Sequence, residues 1–189
     1  MPPEIQWLIP PKPERYVRVA YVDCPDFIQA AYGPNRDLWR LLHDMRFVWR
    51  DRYLFTIRAG SISDLASGMH FVPRRLASRS QHNNWLDDGA HVHDQGHLGT
   101  GEFPGVRHGR RQNRLFDQVM LALWHDAYRD REDVGRLRRW WQSGKPARKY
   151  IGVRLAAPFL WSPDYTNLRS DWITISDLHT ETKELSCTA

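Results

Sequence analysis

Two histidines, His93 and His97, stand four residues apart in a stretch, Asn83 to His97, that carries no proline. On a helix this spacing sets two imidazoles on one side, one turn apart, and such a pair can grip a single metal ion, as it does in zinc hydrolases. With Gly89 at 0° and about 100° per residue, His93 falls at about 40° and His97 at about 80°, beside the stripe of Trp85, Val92 and Gly96. Asp94, at about 140°, can orient an imidazole or serve as a carboxylate ligand. His91, at about 200°, is expected to face solvent.

A second helix, Arg110 to Tyr128, keeps Phe116, Val119, Met120, Leu123, Trp124 and Ala127 in a 3.6-residue period. Asn113 lies inside that stripe, and a buried amide without a partner costs on the order of 1–3 kcal/mol. The segment holding His93 and Asp94 is the natural source of that partner. Upstream, Asp64-Leu65-Ala66-Ser67 supplies another carboxylate and a hydroxyl. The expected site is therefore Asp64, His93, Asp94 and Asn113, with His93, His97 and Asp94 as ligands of a divalent metal such as zinc. Against this, the chain holds nine histidines, and a His-x-x-x-His spacing also arises by chance.

The elements that would position these residues define an α+β protein. Met1 to Glu14 holds five prolines and is expected to be an extended arm. Tyr16 to Val22 is predicted as a strand, and Asn35 to Met45 as a short helix with Leu38, Leu41 and Leu42 on one face. Phe47 to Trp49 and Tyr53 to Ile57 are predicted to form a hairpin around Arg50-Asp51-Arg52. Further helices are predicted over Glu132 to Trp141 and Ala147 to Ala157, and a strand at Trp172 to Ile175. The sum is a small antiparallel sheet or hairpin followed by a cluster of about four helices. One domain is expected over 16–161, with arms at 1–15 and 162–189.

Composition narrows the class. Hydrophobic residues make up 41% of 189 and aromatics 12%, a globular balance rather than a disordered one. Nine tryptophans are many for this length and suit a Trp-rich core or anchors for a partner. The net charge of +5 is spread along the chain, apart from clusters at Arg107-His108-Gly109-Arg110-Arg111 and Arg136-Leu137-Arg138-Arg139. Charge of this size does not by itself make nucleic acid a partner. Two distant cysteines, Cys24 and Cys187, form no disulfide framework, and no apolar run reaches the length of a membrane span. The N-terminus lacks the basic and apolar regions of a signal peptide, so synthesis and residence in a reducing cytoplasm are expected.

Several short motifs occur in a suggestive order: Asp64-Leu65-Ala66-Ser67, Val72-Pro73-Arg74, His93-Asp94, Asn113-Arg114-Leu115-Phe116 and Tyr150-Ile151-Gly152-Val153-Arg154. In this the chain resembles, from about Phe47 to Trp161, the phage and bacterial family catalogued as domain of unknown function 1353. The chain departs from that family's pattern in three places. Ser63 stands for a threonine, Gly68-Met69-His70-Phe71 lengthens the spacing to the Val-Pro step, and Asn113 stands where the family carries Asp. An amide is a poorer ligand and proton acceptor than a carboxylate. The resemblance implies a phage structural or accessory protein with a weakened site. It would be made in the host cytoplasm and held in a particle or tail by its arms, against other phage proteins or further copies of itself. The competing expectation is a metal-dependent hydrolase acting on the cell envelope or a nucleotide.

Overall fold

Met45, Phe47 and Trp49 alternate with residues of the opposite face, as do Phe55 and Ile57, and this period of two builds the central hairpin. The computed structural model describes residues 4–34, 36–65, 86–107, 109–129 and 171–179. It is an α+β fold of two antiparallel sheets and three helices among those residues. The strands are β1 (Ile5–Ile9), β2 (Tyr16–Val19), β3 (Leu38–Leu41), β4 (Met45–Trp49), β5 (Tyr53–Ile57), β6 (Ile62–Ser63) and β7 (Ile173–Asp177). The helices are α1 (Asp26–Tyr32), α2 (Asp87–His97) and α3 (Arg110–Arg129).

The larger sheet runs β1-β4-β5-β7 and the smaller β2-β3-β6. In the larger sheet, register aligns Trp7, Phe47, Phe55 and Ile175 across all four strands. Phe47 and Phe55 stack at 4.9 Å, while Phe103 and Phe116 meet Phe55 edge-on. Phe116, Val119 and Leu123 of α3, together with Val92 of α2, join this core. The β4–β5 turn places Arg50 and Asp51 at φ 53° and 52°, the doubly left-handed form that suits the twist of a tight hairpin.

Three expectations change here. Asn35 to Met45 is not helical: Leu38 and Leu41 are buried residues of β3, which pairs with β2 and β6, and tertiary pairing has overridden a three-leucine helical spacing. The proline-rich N-terminal segment is not a detached arm. Its apolar stretch between Pro3 and Pro10 forms β1, Ile5 is buried in the core, and Trp7 donates through Nε1 to Asp126 on α3 at 2.8 Å. In the C-terminal segment β7 is an edge strand of the same sheet, with Ile173 and Ile175 in the core. The helices expected over Glu132–Trp141 and Ala147–Ala157 lie outside the described residues.

Two glycines explain how closely α2 meets α3. A Cβ on Gly89 would sit 2.6 Å from the Trp124 ring, and one on Gly96 would overlap the Phe116 ring. Glycine costs helix propensity, about 1 kcal/mol per residue against alanine. Here that cost allows a backbone approach that brings the side chains between the two helices into contact.

Candidate metal centre

All eleven residues of α2 are buried, although seven of them are Asp, His or Gln. Each polar group therefore needs a partner, and the strand edge at β6 provides several. Ser61 Oγ lies 2.8 Å from His91 Nε2, Gln95 Nε2 donates to the Ile62 carbonyl at 2.6 Å, and Ser63 Oγ donates to Asp94 Oδ2 at 2.5 Å. His91, expected at the surface, is fully buried beside Tyr16. The helical wheel could not reveal that Ser61 and Tyr16 cover that side. Burial holds the His91 ring neutral, down to about 4 from 6.5.

On the side facing α3, His93 and His97 lie with ring centroids 4.2 Å apart. The Nε2 atoms of both rings stand 3.2 Å from one oxygen, Oδ1 of the fully buried Asp117. One potential ligand atom from each of His93, His97 and Asp117 falls within 4.8 Å of the other two. With metal–ligand bonds of about 2.0–2.1 Å, tetrahedral ligand atoms are about 3.3 Å apart, close to the two His–Asp separations. His93 Nδ1 turns the other way and meets Asp94 Oδ1 at 3.2 Å.

The electrostatics follow from this sandwich. Burial opposes charge on His93, but hydrogen bonds to Asp117 and Asp94, with their charges, outweigh it and lift the ring to about 9. Burial and the neighbouring His93 hold His97 down at about 4. Burial alone would raise Asp117, yet the hydrogen bonds from His93 and His97 hold it well below the usual carboxylate range. Near neutral pH the metal-free cluster thus holds one cationic ring, one neutral ring and ionised Asp117.

The expected site residues divide accordingly. His93, His97 and Asp94 come together, but Asp94 lies behind His93 rather than in the three-residue ligand cluster. Asp64 accepts from Arg36 Nη1 at 2.9 Å, and its charge, like that of Asp94, bears on the buried Tyr32 hydroxyl. Asn113 stands one turn before Asp117, and its buried Oδ1 has no hydrogen-bond partner among the described residues. Sequence reasoning missed Asp117. The available signal was its place four residues after Asn113, on the same side of α3, with an acidic group otherwise unexplained at the edge of an apolar stripe. Ser67 lies outside the described residues.

Comparison with protein-family models, curated proteins and solved structures finds no match for this chain.

Proposed function

We propose that this chain is a metal-dependent hydrolase whose divalent ion, zinc by its ligand chemistry, is held by His93, His97 and Asp117. The observation that carries this reading is the convergence of two imidazole nitrogens on one buried carboxylate oxygen, each at 3.2 Å. Two His and one carboxylate, leaving a position open, is a ligand set of catalytic rather than structural zinc. A zinc ion there would lower the pKa of a bound water toward neutrality and polarise the bond to be cleaved. The departure at Asn113 does not deprive α3 of an acid, because Asp117 stands one turn further on.

For the substrate, the start of α3 favours a phosphate-bearing molecule, such as a nucleotide, over a neutral envelope polymer. Arg107, Arg110, Arg111 and Arg114 are all exposed, and none forms an ion pair among the described residues. With Phe116 at 0°, Arg110 at about 120° and Arg114 at about 160° share the flank of α3 that carries Asp117 at about 100°. Cations at a helix N-terminus are unfavourable by some 0.3–1 kcal/mol each, so an anion there relieves a real cost.

Elemental analysis of the purified protein, with phosphomonoester and phosphodiester nucleotides offered as substrates, tests the reading. About one zinc per chain, and hydrolysis lost in His93→Ala, are expected. A protein that neither carries nor takes up a divalent ion overturns it. The order of the five motifs supports a second reading, an accessory protein of a phage particle. Under it the same protein is metal-free and assembles with particle proteins. Residues 5–9 and 173–177, which this reading counts among the arms, are the edge strands of the chain's own sheet.

A further inference from the structure

We infer that Ser63 and Asp94 are positioning residues, a relay from the β6 edge that fixes the tautomer of His93 and turns its Nε2 lone pair toward the metal. This rests on the metal reading above for its purpose, but on separate hydrogen bonds for its logic.

Ser63 stands two residues before Leu65, which is buried and held at φ 53°, a left-handed conformation uncommon for a leucine. The Leu65 N–H donates back to Ser63 Oγ at 2.8 Å. A serine hydroxyl has a single proton. With its oxygen accepting from Leu65, that proton is directed to Asp94 Oδ2, 2.5 Å away. Asp94 as a carboxylate only accepts, so its other oxygen, Oδ1, requires a donor at His93 Nδ1, 3.2 Å away. A neutral imidazole with its proton on Nδ1 has its lone pair on Nε2, the atom that faces Asp117 at 3.2 Å. The direction of every proton in the chain Leu65–Ser63–Asp94–His93 thus follows from the Leu65 N–H, which can only donate. Ser63 is fully buried and Asp94 nearly so, which keeps water from substituting for either bond.

Such outer partners are worth about 10–100-fold in metal affinity elsewhere. The test uses zinc alone as the probe, titrated against a chelating indicator. Ser63→Ala is expected to weaken zinc about tenfold and Asp94→Asn ten- to a hundredfold, whereas Ser63→Thr, which keeps the hydroxyl, restores parental affinity. The second readout is nitrogen-15 NMR of the His93 ring in the metal-free protein, at a pH where its spectrum shows the ring to be neutral. There the parent should be protonated at Nδ1 and Asp94→Asn should show a mixture of tautomers. Changes in stability alone would not move that equilibrium. Equal zinc affinity in parent and Ser63→Ala, or an Nε2-protonated ring in the parent, overturns the relay. A parent that shows the Nδ1 tautomer but takes no zinc upholds the relay and sinks the metal reading instead.

Discussion

Raising the pH from 7 to 9 should tighten zinc binding roughly fiftyfold, because one proton must leave His93 before an ion can enter and half of the rings still hold it at pH 9. In the metal-free chain the ring is gripped between Asp94 Oδ1 and Asp117 Oδ1, each 3.2 Å away. The rise from 6.5 to about 9 corresponds to roughly 3 kcal/mol of preference for the charged ring. At pH 7, expelling that proton costs a factor of about 100 in apparent affinity. His97, at about 4, is already neutral, and Asp117 is already ionised, so neither adds to the cost. Uptake near pH 7 should therefore release about one proton from the ligand residues. The sign for folding is the reverse: the contribution of His93 to the metal-free fold is full below pH 6.5 and is lost as pH climbs through about 9. Chelator competition across this range gives the slope, and calorimetry in buffers of different ionisation enthalpy gives the proton count. An affinity that stops rising at pH 6.5, with no proton released at neutrality, would refute the idea that two carboxylates hold this ring.

Three further outcomes are expected. Asp117→Asn should weaken zinc by more than a hundredfold while Asn113→Asp changes it less than about tenfold, since only the first removes a ligand; equal effects in a zinc titration would return the ligand role to position 113. Gly96→Ala should destabilise by about 1–3 kcal/mol in urea unfolding despite alanine's better propensity, because its methyl group meets the buried Phe116 ring. His91 stays neutral in the fold down to about 4, so its contribution is present above pH 6.5 and lost as pH falls toward 4, on the order of 3 kcal/mol; His91→Gln should flatten that part of the acid-unfolding curve.

Where periodicity meets a half-buried surface, the sequence was readable. The β4–β5 hairpin and α3 from Arg110 follow from alternation and from a 3.6-residue stripe, and both appear with nearly the expected bounds. The strand near Trp172 was legible, but its partner was not, since nothing local says that residues 173–177 lie against 53–57. Leu38, Leu41 and Leu42 fit a helix as well as a strand, and only pairing with β2 and β6 decides between them. For the site, the His-x-x-x-His spacing was plain and Asp94 was placed beside it. The carboxylate that meets both rings was not, because Asn113 lies inside the apolar stripe of α3 whereas Asp117, one turn on, lies at its edge. The role of Ser63 depends on its contact with Asp94, 31 residues away, which no local pattern announces.

The full enclosure of α2 bears on how this gene can vary. Most helices have a wet side on which substitutions drift freely, so a mutational scan alternates tolerant and intolerant positions about every three or four residues. Here Asp87 through His97 has no such side. Gly89 and Gly96 have no room for a methyl group, and the acids, histidines and Gln95 sit where an unmatched replacement leaves a buried partner unsatisfied. A deep substitution scan should therefore show eleven consecutive intolerant positions in a polar segment, a pattern resembling a hydrophobic core strand in everything but its letters.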